Sequence, residues 1–131
     1  MKNEFHNAWA EILAFLAIFF ADILGALIAI GFLIMSDTFT GIWAAWKKEG
    51  RKSVTSGKLG RILSKIILYP LAIIVAKVAE DYLAAEIPWV RVTMGILAIV
   101  EVKSIFENIS KVLGYDLWSR IKDQLSRSIK E

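Results

Sequence analysis

The residues from Ile12 to Met35, ILAFLAIFFADILGALIAIGFLIM, decide what kind of protein this chain forms. The stretch contains one ionisable side chain, Asp22, and no proline. A helix over 12–35 extends roughly 36 Å at 1.5 Å per residue, enough to cross a hydrocarbon core of about 30 Å with some tilt. The stretch therefore predicts a transmembrane helix. A signal peptide is the weaker interpretation, because its apolar region has only about 7–15 residues.

The composition of the whole chain also favours a membrane protein over a soluble one. Of the 131 residues, 56% are hydrophobic and 22% are charged, and there is no cysteine. A soluble domain of about 150 residues buries only about 70% of its surface, so a globule of this size could not hide that much apolar surface. The lack of cysteine excludes disulfides, thiol nucleophiles and thiolate metal sites.

Two further apolar stretches predict two more spans. The second contains Pro70, which neighbouring helices can accommodate inside a membrane. The third contains Arg91, Glu101 and Lys103, so it is marginal as a lone helix and needs these charges to face protein, pore water or the interface. A polar break at Ser36–Gly41 is expected after the first span. The predicted fold is a single all-α membrane domain, 1–131, with three transmembrane helices at about 12–35, 62–79 and 89–106, a basic cytoplasmic loop at 47–61 and a C-terminal amphipathic helix in the tail 108–131.

The distribution of Lys and Arg predicts the orientation of the chain in the bacterial cytoplasmic membrane. Seven positive residues lie from Lys47 to Lys65 and five more lie in the tail, whereas the opposite side has Lys2, Lys77 and Arg91. Loops rich in Lys and Arg stay in the cytoplasm. The N-terminus is therefore expected outside and the C-terminus in the cytoplasm.

No group of residues in the sequence favours catalysis. His6 is the only histidine, so a zinc-binding His pair is excluded, and no sequence signal places His6 near a catalytic serine. Gly57-Lys58 does not belong to a phosphate-binding loop, because the full Gly-x-x-x-x-Gly-Lys-[Ser/Thr] pattern is absent. We predict no enzymatic activity and no cofactor. The basic loop lacks interleaved aromatic residues, which favours anionic lipid over nucleic acid as its partner.

Small residues form a stripe along the first span. Every fourth residue is small, and this spacing lets two helix backbones approach closely. The stripe consists of Ala17, Ala21, Gly25 and Ala29. Asp22 borders it, and an ionisable residue at bilayer depth predicts a functional role with a charged partner. The sequence leaves three candidate partners open, namely Lys65, Lys77 and Arg91. The alternative interpretation of the stripe is that alanine is simply abundant in this span.

The charges of the third span are further candidates for contacts in an oligomer. Arg91, Glu101 and Lys103 are expected to be satisfied between protomers or by water in a pore lumen. Lys103, Glu107 and Lys111 are four residues apart, so neighbouring pairs share one helix face and can form ion pairs. These last residues either belong to a gating element or form an ordinary solvated helix exit.

Two segments, Asp37-Thr38-Phe39-Thr40-Gly41 and Glu101-Val102-Lys103-Ser104-Ile105-Phe106-Glu107-Asn108, resemble motifs of a known family of phage holins that includes the clostridial toxin-secretion holins. The first is similar to that family's Asp-x-x-Thr-Gly segment, with Asp37, Thr40 and Gly41 at the motif positions, followed by Ala44-Ala45-Trp46-Lys47. The second is similar to its Glu-x-x-Ser-Ile-x-Glu-Asn motif, with Glu101, Ser104, Glu107 and Asn108 at the motif positions. The resemblance covers about residues 12–114.

The resemblance implies a small membrane protein that accumulates, self-associates and permeabilises the cytoplasmic membrane at a set time. An endolysin, or in some systems a toxin, then reaches the cell wall. The implied partners are membrane lipids, further copies of the chain and a released endolysin. Two alternatives from other classes stay open: a non-lytic membrane anchor or assembly subunit, and a small ion-selective channel.

Overall fold

The computed structural model of the protein describes residues 2–50 and 56–129, and they form four α-helices. The helices are α1 (Lys2–Glu49), α2 (Ser56–Tyr82), α3 (Trp89–Leu113) and α4 (Leu117–Ser128). No strand occurs in the described part of the chain, which confirms the all-α prediction. Pro70 lies inside α2 without ending the helix.

The three long helices pack side by side around a small apolar core. Its buried members are Ile23, Ile30 and Ile34 of α1 and Ile73 of α2. Contacts of α2 with α1 join Lys77 to Asp22 and Lys65 to Asp37, so these two helices are antiparallel. The chain direction of α3 is the same as that of α1, because the early α3 residues 90–97 pack on this core and Asn108 reaches Asp37.

Most of the large apolar side chains lie on the outside of this bundle. Phe32 and Met35 of α1, for example, are 69% and 73% exposed. Water would be a poor solvent for such a surface, since exposed apolar patches on soluble proteins rarely exceed a few hundred Å². Two helices are long and apolar enough to cross a membrane, Ala8–Lys48 within α1 and Leu59–Tyr82 within α2. The predicted third span is not among them, because the charged residues of α3 are spaced so that no membrane-spanning length of this helix is as poor in charge as those of α1 and α2.

The predicted polar break at Ser36–Gly41 is wrong, because α1 continues through it to Glu49. The polar side chains bond back to their own helix instead of interrupting it. The Ser36 hydroxyl donates to the Phe32 carbonyl oxygen at 2.8 Å, and the Thr40 hydroxyl donates to the carbonyls of Ser36 and Asp37 at 2.9 and 3.1 Å. Such bonds keep a hydroxyl satisfied within a helix.

The predicted loop 47–61 is also shorter than expected. Residues 47–49 are the last residues of α1 and residues 56–61 are the first of α2, so both helices extend into the basic segment. Gly50 follows α1 with a φ of 78°, the left-handed conformation that glycine adopts readily after a helix. Residues 51–55 lie outside the described part of the chain.

The tail is not one amphipathic helix from 108 onward. Residues 108–113 complete α3, which ends at Gly114 with a φ of 82°, and the amphipathic helix α4 begins only at Leu117. Asp116 caps α4, accepting from the Ser119 backbone N–H at 3.1 Å and from its hydroxyl at 2.6 Å. These hydrogen bonds from Ser119 lower the pKa of the Asp116 carboxyl. Trp118 packs on Phe106, with ring centroids 5.9 Å apart, and so holds α4 against α3.

Candidate functional site

A group of polar side chains lies between α1, α2 and α3, enclosed by otherwise apolar helices. We call it the polar cluster. Its members are Asp37 of α1, Lys65 and Tyr69 of α2, and Glu101 and Asn108 of α3. Each helix therefore contributes at least one polar group to the same small volume.

Lys65 is the centre of the polar cluster. Its ammonium Nζ donates to Asp37 Oδ2 at 2.7 Å and to Glu101 Oε2 at 2.9 Å. One cation thus joins two carboxylates from two different helices. With two carboxylates and one ammonium, the cluster has a formal charge of −1. Lys65 therefore links α2 to α1 and α3 simultaneously.

Glu101 is the most deeply placed member, with 0% of its surface exposed. Its second carboxylate oxygen, Oε1, accepts from the Tyr69 hydroxyl at 2.7 Å. Both oxygens are therefore satisfied, which is the condition for keeping a buried carboxylate at tolerable cost. Tyr69 stands one helical turn after Lys65, so the two side chains project from the same face of α2.

Asn108 connects the far end of the polar cluster to α1. Its amide Nδ2 donates to Asp37 Oδ1 at 3.1 Å. Gly41 permits this approach, because a Cβ built on it would lie 3.3 Å from Asn108 Nδ2. Asp37 and Gly41 of the first family-like segment thus meet Glu101 and Asn108 of the second. Four of the positions that carry the sequence resemblance therefore lie together in one structural site.

A second ionic group lies at the opposite end of the bundle. The Lys77 ammonium donates to Asp22 Oδ2 at 3.1 Å and to Asp81 Oδ1 at 2.8 Å. Of the three partners that the sequence left open for Asp22, the structure pairs it with Lys77. Asp22 is still 61% exposed on the side-chain level, so one side of its carboxylate faces away from the bundle.

The other candidate residues lie on the surface of the single chain. All four residues of the small-residue stripe, Ala17, Ala21, Gly25 and Ala29, are exposed, and none of them belongs to the apolar core. Arg91 is exposed as well. Lys103 pairs with Glu107 at 3.7 Å, with both side chains more than half exposed. The structure therefore separates the predicted site residues into an internal set and an external set.

The sequence predicts that Glu101 contacts other protomers or lumen water, whereas in the structure of the single chain its partners are Lys65 and Tyr69. The sequence analysis did not identify Tyr69 as a site residue. A usable signal was present, because a tyrosine in an apolar helix needs a hydrogen-bond partner for its hydroxyl, and Lys65 lies four residues before it on the same face. Ser104 and Thr40 do not join the polar cluster. Thr40 bonds to its own helix, and Ser104 lines a neighbouring cleft.

Within the described residues, no group of three or more acidic or histidine side chains could hold a metal ion. The arrangement offers hydrogen bonds and ion pairs between helices, with a single ammonium as the shared donor. Its chemistry is that of a polar structural contact between three largely apolar helices.

Comparison with known proteins identifies the family to which this chain belongs. The model of the Bacteriophage holin family matches residues 14–128, a range that includes α4 as well as the two resembling segments. No curated protein and no solved structure matches the chain. The narrower resemblance to clostridial toxin-secretion holins stays a prediction. A match that extends over nearly all of the described helices shows that the chain belongs to the bacteriophage holin family, a family of non-enzymatic membrane proteins.

Proposed function

We propose that this chain assembles in the bacterial cytoplasmic membrane and permeabilises it, so that an endolysin or toxin leaves the cell. Membership of the holin family supports membrane permeabilisation. The observation that carries the mechanism is the fully buried carboxylate of Glu101, bound to Lys65 and Tyr69 between apolar helices. A chain that only anchors another protein has no need of a buried charge in its membrane domain.

The polar cluster acts as an internal lock on the single chain. While Lys65 binds Asp37 and Glu101, the charges have partners and the outer surface facing lipid stays mainly apolar. Separation of the three helices would leave two carboxylates and one ammonium without partners at the edge of the hydrocarbon core, at a cost of several kcal/mol. An oligomer that surrounds water removes that cost, since these same groups can line the aqueous lumen. The lock therefore favours the closed chain until enough copies are present.

The exposed small-residue stripe is the proposed contact between protomers. An atom added at the Cβ position of Gly25 meets nothing within 4 Å, so a second helix has room to approach this side of α1. Close backbone packing through small residues is a common mode of helix association in membranes. Asp22 borders the stripe and would then lie near the protomer interface.

The proposed topology has three spans, with α3 as the third. The charge of Glu101 is compatible with a membrane-spanning α3, because protein and not lipid surrounds its carboxylate. Arg91 lies near the start of α3, and the Lys103–Glu107 pair lies in its second half, so both can reach an interface with their long side chains. The N-terminus is then outside and the C-terminus in the cytoplasm.

Expression with a reporter enzyme tests the function. We expect induced expression beside a cytoplasmic endolysin to cause abrupt growth arrest, loss of membrane potential and release of the endolysin. Culture turbidity, a potential-sensitive dye and endolysin activity in the medium are measured together. Harmless accumulation in the membrane would identify an anchor, and depolarisation that retains the endolysin would identify an ion-selective channel.

Removal of the cation from the polar cluster should make the chain less stable and should cause earlier lysis. Lys65→Met leaves the carboxylates of Asp37 and Glu101 near each other without their cation, which typically costs about 3–5 kcal/mol when a pair is buried. We expect a lower free energy of unfolding in detergent and an earlier onset of lysis. The control is Lys103→Met, which removes an exposed lysine whose ion pair is worth less than about 1 kcal/mol. Equal behaviour of the two variants would contradict the lock.

Filling the small-residue stripe should weaken assembly. Gly25→Leu is expected to reduce self-association about tenfold, equivalent to about 1.4 kcal/mol, and to delay or block lysis. Gly31→Leu is the matched control, because the same side chain is added to the same helix at another angle and also meets nothing within 4 Å. Chemical crosslinking in membranes measures the association. If Gly31→Leu reduces self-association as much as Gly25→Leu does, the small-residue stripe is not the contact between protomers.

Single cysteines test the topology, and the natural sequence contains none that would interfere. We expect an impermeant thiol reagent to label Asn3→Cys and Ala84→Cys on intact cells, and Val54→Cys only after the cells are broken. A cysteine at Ser128, in the last turn of α4, reports on α3. If α3 does not cross the membrane, Ser128→Cys is labelled from outside.

A further inference from the structure

A cleft of about 440 Å³ opens between α1, α2 and α3 beside the polar cluster. Four cations line it, namely Lys48 from α1, Arg61 and Lys65 from α2 and Lys111 from α3. Lys65 belongs to the polar cluster, which leaves the other three, one on each helix. All three side chains are exposed. None of them takes part in the ion pairs found among the described residues.

The carboxylates of the cleft are already engaged. Asp37 accepts from Lys65 and from Asn108, and Glu107 pairs with Lys103 at 3.7 Å. The three cations outside the polar cluster therefore converge on a space whose negative groups have other partners. The lining also includes the neutral polar side chains of Thr38 and Ser104, which can donate further hydrogen bonds.

Two consecutive lysines at this end of the bundle, Lys47 and Lys48, have different surroundings. The Lys47 ammonium donates to the carbonyl oxygen of Val112 near the end of α3, so this lysine satisfies backbone. The next residue, Lys48, lines the cleft instead. The cations of the cleft are thus additional to those that stabilise helix ends.

The position of the cleft along the helices matches the level of lipid headgroups. It lies beyond Met35, where the apolar run of α1 ends, and around Ile62, where that of α2 begins. Trp43 and Trp46 on this part of α1 are 53% and 48% exposed. Exposed tryptophans of membrane helices concentrate at the interface between lipid and water.

We propose that this cleft binds the phosphate of an anionic phospholipid headgroup, held by Lys48, Arg61 and Lys111. Basic pockets between membrane helices are suited to such headgroups, and a guanidinium matches the oxygens of a phosphate in a bidentate way. A bound headgroup bridges the ends of all three helices next to the polar cluster. The proposal rests on the insertion of α1 and α2 in the membrane, and it is independent of whether the chain forms a pore.

Native mass spectrometry of the purified full chain in detergent tests this site with two lipids. We expect phosphatidylglycerol to bind at least about fivefold more tightly than phosphatidylcholine, as three cations near one phosphate would give. The combined substitutions Lys48→Gln, Arg61→Gln and Lys111→Gln should abolish this preference. The control removes three positive charges outside the cleft, through Lys103→Gln, Lys122→Gln and Arg127→Gln, and should keep the preference.

Three results would overturn the proposal. Equal loss of preference in both triple variants would show diffuse attraction to a basic chain, and an unmodified chain without preference would show that no site exists. Displacement of the lipid by millimolar glycerol 3-phosphate would assign the cleft to a soluble phosphate compound. If the triple variant does not fold, the lipid preference of Arg61→Gln is compared with that of Arg61→Lys. Arg61→Gln should weaken the preference and Arg61→Lys should keep most of it. Endolysin release is measured separately, so failure of the lipid site and failure of pore formation give different results.

Discussion

Moving an ionised carboxylate out of water costs several kcal/mol, and in this protein the fully buried carboxylate of Glu101 lies between helices whose outer surfaces are apolar. The position is stable because the Lys65 ammonium and the Tyr69 hydroxyl each bond to one of its oxygens. The same ammonium also binds Asp37, so a single lysine determines how α1, α2 and α3 stand relative to one another. Dispersion forces and exclusion of lipid are compatible with many relative orientations of the helices, whereas these hydrogen bonds form in few of them. The specificity of the bundle therefore comes from its polar groups.

The chain has two kinds of charged residue in its apolar helices, and they suit different stages of one process. The buried kind, represented by Glu101 and Lys65, has its partners inside the single chain. The exposed kind is represented by Asp22, which keeps one side of its carboxylate free although Lys77 binds the other. Under the proposed function, the protein first remains harmless in the membrane and later encloses water, and the two kinds serve these two stages. The first kind would make the isolated chain acceptable to lipid, and the second would give assembled chains a polar surface.

Much of the fold follows from local sequence, and the errors have physical causes. The helices were predictable from the long apolar stretches and from the positions of charge. The break expected at 36–41 failed because hydroxyl side chains can bond to the preceding turn, and the continuous tail helix failed because Gly114 adopts a left-handed conformation. The partners of Glu101 were beyond local reasoning, because they depend on how three helices are rotated about their axes. Only the pairing of Tyr69 with a nearby carboxylate could have been inferred, from the need of a buried hydroxyl for a partner.

The unbroken length of α1 has a mechanical consequence. At 1.5 Å per residue, its 48 residues form a rod of about 72 Å, roughly twice the thickness of a hydrocarbon core. A rod without a hinge transmits every change of tilt from its lipid-embedded half to its other end. Over the 14 residues from 36 to 49, or about 21 Å, a tilt of about 10° moves the far end sideways by about 4 Å. If chains associate as proposed, lateral pressure between them would displace Lys47 and Lys48 relative to the end of α3, where Lys47 binds the Val112 carbonyl.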